Sequence, residues 1–247
     1  MPPVTWSQKT YTLAADTAEA YCQMLDELEA ELPDGMNFTE ATGRCADLVA
    51  INHAGRIAKG RVVADSGEMS DTDRGARRKV LEEILSGIGF IEPVVVFGWH
   101  HSDLDDITAA AANVGMACGE RSGRRDQLAE WQNGDTQILA TQLSAGALGV
   151  DMTRARYAVF FAGWWSPDMI QQATARVHRA GQTRPVSYIA IVAELPSSHA
   201  RKHTGVNTLE QIMWSRVRWK WSEQQDVIDR ITSTQEAGQL SLIGANA

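Results

Sequence analysis

Basic charge is scarce in this 247-residue chain: lysine and arginine total 23 against 31 acidic residues, a formal net charge of −8. That excludes a globally basic nucleic-acid binder, so any such contact has to come from a local patch. Cysteine is nearly absent. Cys22, Cys45 and Cys118 are odd in number and far apart. They form neither a disulfide framework nor a paired zinc ligand set, and they fit a reducing cytosol. No apolar run is long enough to cross a bilayer, and the opening "MPPVTWSQKT" has no apolar leader core. The expectation is a cytoplasmic or nucleoid-associated protein with no membrane partner. No G-x-x-x-x-G-K-[ST] phosphate loop occurs. "GRIAKGR" at 55–61 has the wrong spacing, and "DELE", Asp26 to Glu29, sits inside an acidic helical pattern rather than after an apolar strand. No metal site is expected.

What is present is a globular composition, 44% hydrophobic and 22% charged, in a chain long enough for one large domain or two small ones. Residues 11–31 read as an acidic amphipathic helix that ends before Pro33-Asp34-Gly35, and about 40–58 as a second helix. The polar, glycine-rich "GRVVADSGEMSDTDRGARR" is the best boundary. From residue 76 the texture alternates. "ARRKVLEEILSGI" reads as helix, "PVVVFGW" as strand, and "SDLDDITAAAANVG" as helix with Ser102 as N-cap. "GRRDQLAEWQNG" is a short helix and "TQILA" a strand. "RYAVFF" is a strand, "SPDMIQQATARVHRAG" a helix and "VSYIAIV" a strand. Alternation of this kind predicts parallel βαβ units, and the near-continuous apolar runs predict strands covered on both faces. The tail "NTLEQIMWSRVRWKWSEQQDVIDRIT" reads as one or two helices capped by Asn207 or Thr208.

One stretch asks for more than packing. "QQATARVHRAGQTRPV", Gln171 to Val186, sets Arg176 and Arg179 three apart around His178 and closes with Gly181. At that spacing both guanidinium groups can point to one side of a helix, where two forks match a polyphosphate or a carboxylate. Ligands of open parallel sheets sit outside the carboxyl ends of the strands, and the pair is expected there.

Trp165, Pro167, Gln172, Ala173, Arg176, His178, Arg179, Gly181, Gln182, Thr183, Pro185 and Val186 resemble the last helicase motif of the Swi/Snf-like branch of superfamily-two DNA helicases and translocases. Its usual form is W-N-P…Q-A-x-D-R-x-H-R-x-G-Q-x-x-P-V. Ser166 and Ala175 replace the usual Asn and Asp. Upstream, "LSAGALGVDMTRARYAVFF" is similar to the preceding motif, with Asp151 where Asn is usual. "VVVFGWHHSDLDDI" and "GRRDQLAEWQNGD" resemble the first motifs of the same lobe. The resemblance implies an α/β fold, a RecA-like doubly wound parallel sheet with flanking N- and C-terminal helices. It implies a helical linker region over 1–75, the lobe over 76–196 and bracing helices over 197–247.

The resemblance also implies roles. ATP with Mg²⁺ would be bound mainly by a first RecA-like lobe, in cis or in trans, that carries the phosphate loop. Arg176 and Arg179 would act as arginine fingers on the γ-phosphate, with Gln172 as a third candidate at the phosphate or the opposing lobe. Gly149, Asp151 and His178 are the remaining nucleotide candidates. Ser144, the amides near Gly146, His100, Arg124 and Arg125 are candidates for a DNA backbone. Arg77, Arg78 and Lys79 form a further basic cluster. The competing reading is a non-catalytic nucleic-acid-binding or regulatory module derived from such a lobe.

Overall fold

Six strands form one parallel sheet in the order β1-β8-β7-β4-β6-β5. They are β1 (Val4–Thr12), β4 (Val94–Gly98), β5 (Cys118–Arg121), β6 (Ile138–Gln142), β7 (Tyr157–Phe160) and β8 (Val186–Glu194). A separate antiparallel pair joins β2 (Arg61–Val63) to β3 (Met69–Asp71). The helices are α1 (Ala15–Ala30), α2 (Arg74–Ile88), α3 (His101–Asn113), α4 (Leu128–Asn133), the single turn α5 (Leu143–Gly146), α6 (Pro167–Val177) and α7 (209–218). This computed structural model describes residues 1–30, 61–63, 69–71, 74–146, 149–162, 167–199 and 208–218. The helix expected over 40–58 and most of the tail lie outside them. Among the described residues no helix is long and apolar enough to cross a membrane.

The apolar runs are strands buried on both faces, as their composition requires. Every residue of β4 is buried. Val94 and Val96 face one cluster with Leu81, Leu85, Leu104 and Ile107 from α2 and α3. Val95 and Phe97 face the other, with Trp131 from α4 and Ile170, Ala173 and Val177 from α6. The period of two along the strand thus divides the core into two layers, one on each side of the sheet.

Several expectations are corrected. Val4–Thr12, whose last two residues were expected to open the helix over 11–31 and whose others carried no expected element, is a nine-residue edge strand paired in parallel with β8 from Val4↔Val186 to Thr12↔Glu194. Its helix begins only at Ala15. β5 was also unforeseen. The cap of α3 is His100, not Ser102. The Asp103 carboxylate accepts the backbone N–H groups of Trp99 and His100, both at 2.9 Å, and so fixes the helix start two residues earlier. Thr208 does cap α7. Its hydroxyl accepts the Gln211 N–H at 3.3 Å, while the Gln211 side-chain oxygen accepts the Thr208 N–H at 3.1 Å.

The basic cluster at 77–79 loses its first member to the interior. Arg77 is 1% exposed. Its guanidinium donates to both Glu210 carboxylate oxygens at 2.6 Å, to the Tyr11 hydroxyl at 2.9 Å and to the Phe161 carbonyl. Burial opposes the charge, but Glu210 and Tyr11 outweigh it and raise the guanidinium further. Glu210 also accepts the Ala193 N–H at 2.9 Å. Strand β1, helix α2, the end of β7, β8 and α7 therefore meet on one ion pair.

Candidate functional site

The crossover helix α6 leaves the carboxyl end of β7 and runs back against the strands. Its last turn consequently lies at the amino edge of the sheet, and the arginines lie there with it. The expectation that they flank the carboxyl edge is corrected by direct contacts. Met152 N–H donates to the Arg176 carbonyl at 3.0 Å, and residues 151–155 lead straight into the start of β7. The helix also ends at Val177, so Arg179 stands in the turn beyond it, where the Gln182 N–H donates to the Arg179 carbonyl at 3.0 Å. Gly181 there has φ +103°, a conformation that favours glycine. Arg176 is half-buried and Arg179 exposed.

Asp151 faces this turn. Its carboxylate accepts the Thr153 N–H at 2.8 Å and the Thr153 hydroxyl at 2.7 Å, an aspartate turn closed on itself. Those two bonds, with the Arg179 charge nearby, hold the carboxyl below its ordinary value despite some burial. Gly149, φ +61°, opens the same connection. His178 is placed differently from an open ligand. Its Nε2 lies 2.8 Å from the Pro2 carbonyl, and since a carbonyl only accepts, that nitrogen carries the proton. Gln172 is exposed on α6, upstream of the arginine turn. Arg176, Arg179 and Asp151 are thus brought together; His178 shares their turn through a bond to the N-terminal segment.

The DNA-side candidates gather on the opposite edge. His100 caps α3 just beyond β4, and Ser144 is exposed just beyond β6, with Gly146 closing the same short turn. Gln142 Nε2 donates to the Trp99 carbonyl at 3.1 Å and ties these two strand ends together. Arg124 and Arg125 follow β5 on this edge. Arg124 is engaged there: it donates to Glu120 at 2.7 and 3.0 Å and to Asp105 at 2.5 Å, which raises its pKa. Burial pushes the Glu120 carboxyl up, but Arg124 and Ser122 together outweigh it and hold it low. Arg121 pairs with Asp126 at 2.6 Å. Of Arg121, Arg124 and Arg125, Arg125 alone forms no ion pair among the described residues, and it is exposed.

Two residues of the matched motifs, Gln182 and Thr153, had no role assigned to them from the sequence. Gln182 is 7% exposed and its side chain bridges the Thr153–Ala155 segment to α6. Thr153 closes the Asp151 turn. The D-x-T spacing signals the second; the glutamine after a turn glycine signals the first only weakly.

The family model described as the helicase conserved C-terminal domain matches residues 76–181. The human chromatin-remodeling ATPase INO80 is 26% identical over 180 residues, 69% of this chain and 10% of the human protein. The chromatin-remodeling ATPase INO80 of Lodderomyces elongisporus is 34% identical over 113 residues, 45% of this chain and 6% of that protein. This chain therefore spans no more than 10% of the length of these two curated relatives. Among solved structures, the C-terminal part of the Fun30 ATPase domain superposes with a TM-score of 0.57 at 16% identity, covering 78% of this chain and 85% of that one. The Sulfolobus solfataricus SWI2/SNF2 ATPase core in complex with dsDNA gives 0.55 at 18% identity, covering 78% and 42%. At those identities the two structures establish a shared fold.

Proposed function

We propose, from the premise that this chain carries the helicase C-terminal lobe of a Swi/Snf-like superfamily-two ATPase, that it works as the second motor lobe of an ATP-driven DNA translocase or helicase. The observation that carries the reading is the gathering of Arg176 and Arg179 in one turn against the Asp151 loop. A first RecA-like lobe holds ATP with Mg²⁺ against this turn. Arg176 and Arg179 then meet the charge that develops on the transferred phosphoryl group. The opposite edge follows a DNA backbone through Ser144, the amides near Gly146, His100 and Arg125. The division supports a motor because nucleotide and DNA act on opposite ends of the same rigid sheet.

The purified chain alone hydrolyses ATP negligibly with or without duplex DNA, because the phosphate loop belongs to the other lobe. Supplying a first lobe, mixed or fused, restores DNA-stimulated phosphate release. Robust DNA-stimulated turnover by the chain alone sinks the half-motor reading.

DNA binding by the lobe is weak, salt-sensitive and indifferent to sequence, since phosphate contacts and counterion release dominate. Arg125→Ala lowers the slope of log affinity against log salt by about one. Arg124→Ala changes it less, because Glu120 and Asp105 already neutralise that guanidinium. Titrations of a labelled duplex at several salt concentrations check both; affinity that is flat with salt rules out this surface.

A further inference from the structure

We propose that Gln182 is the positioning residue of the arginine site: its amide clamps the 153–155 segment to the end of α6 and thereby sets the approach of Arg179 to Asp151. The proposal rests on the motor reading only for its consequence in turnover; the clamp itself is a property of this chain.

The geometry is that of a staple between two segments. Gln182 Nε2 lies 3.0 Å from the Thr153 carbonyl, 2.9 Å from the Ala155 carbonyl and 3.2 Å from the Val177 carbonyl. The first two belong to the loop that follows Asp151, the third to the last residue of α6. An amide nitrogen has two protons for three acceptors, so one is shared. The amide oxygen accepts the Arg184 N–H at 3.1 Å, which orients the group, and the Gln182 N–H closes the turn on the Arg179 carbonyl. Arg179 thus sits in the turn that Gln182 ends, and Asp151 sits two residues before the first carbonyl Gln182 holds. Besides this amide, the Met152 N–H donates to the Arg176 carbonyl and the Arg184 guanidinium to the Arg154 carbonyl across the two segments.

Only a glutamine-like group fills the role. A leucine of similar size leaves three carbonyls without their donor in a largely buried place. A glutamate replaces the donors by lone pairs aimed at those carbonyls. An asparagine keeps the amide chemistry but is one methylene too short to span both segments. An arginine that must meet a developing charge tolerates little displacement, since a misplacement of about 1 Å can cost on the order of 10²-fold in rate.

The test uses Gln182→Leu in the full chain, with Gln182→Asn as the milder variant that keeps a polar group in place. The first readout is the Asp151 carboxyl titration by NMR in the isolated chain. In wild type it lies below the ordinary carboxylate range, and in the variants it moves up as Arg179 and the Thr153 turn drift from it. The second readout is turnover with a first lobe supplied, where kcat falls by about 10²-fold in the leucine variant while KM for ATP changes far less. A residue that served stability alone would lower the melting temperature and leave both readouts where they were. An unmoved Asp151 titration in either folded variant overturns the clamp, whatever the motor does. A shifted titration with normal turnover in the assembled motor overturns the positioning role. Normal turnover in Arg176→Ala and Arg179→Ala variants is the separate result that brings down the motor reading itself.

Discussion

Arg176→Ala and Arg179→Ala, assayed with a first lobe supplied, each lower ATP turnover by about 10³-fold or more, with nucleotide affinity changing much less. The asymmetry follows from what a finger does: it acts on charge that develops in the transition state and binds the ground state little better than water does. Lysine at either position rescues poorly, because a single ammonium does not reproduce a planar fork with several donors. The competing explanation is that Arg176 merely complements the macrodipole in the last turn of α6, opposite Asp168 in the first. That effect is worth about 0.3–1 kcal/mol of helix stability, whereas a 10³-fold loss of rate corresponds to about 4 kcal/mol of barrier. The two are separated by measuring kcat, nucleotide affinity and melting temperature on the same four variants. Folding survives, since Arg179 is exposed and the backbone bond of Arg176 to Met152 does not involve its side chain. Near-normal turnover in the alanine variants removes the fingers; a collapse of the melting temperature makes the arginines structural.

The alternating central segments were readable because a strand covered on both faces carries an almost uninterrupted apolar run. "VVVF" and "AVFF" announce themselves, and the α6 pattern that follows "AVFF" is equally plain. β1 and β5 were not readable for the same reason inverted. Both are edge strands. "VTWSQKTYT" exposes most of its residues, and "CGER" spends two of four positions on charged residues. Neither has the period or the apolarity that marks a strand; only pairing with β8 and with β6 selects their conformation.

The candidate residues could be named from the sequence, but their place in the fold could not. The rule that ligands sit beyond the carboxyl ends of the strands puts the arginine turn at the wrong end of the helix. A crossover helix returns against its strands, so its last turn belongs to the amino edge, and that much could have been deduced from topology. The burial of Arg77 could not. In "GARRKVLEE" three consecutive basic residues look like a solvated face, and nothing local says that the first meets Glu210, 133 positions away. Nor does the sequence reveal that Arg124 is neutralised by Asp105, which lies on another element, 19 positions earlier.

Arg77→Ala destabilises the fold by about 3–5 kcal/mol, a large share of the roughly 5–15 kcal/mol that holds an ordinary domain together. The cost is not the value of the ion pair itself. Removing Arg77 strands the Glu210 carboxylate at 7% exposure with the Ala193 N–H still donating to it, and takes the guanidinium donor away from the Tyr11 hydroxyl and the Phe161 carbonyl. Arg77→Met restores apolar volume but leaves the same charge stranded, so it recovers little. The double variant Arg77→Met/Glu210→Leu removes both charges and regains part of the loss, as apolar replacements of buried pairs do. It does not regain all, because the Ala193 N–H and the Phe161 carbonyl remain without their side-chain partners. A double-mutant cycle by urea unfolding measures the difference. The same pair joins β1, α2 and α7, so the single variants loosen the N-terminal strand and the C-terminal helix together. Hydrogen exchange then rises in Val4–Thr12 and in 209–218 before it rises in β4. A loss below about 1 kcal/mol for Arg77→Ala, or protection that falls in α7 alone, means that Arg77 does not hold these elements on one hub.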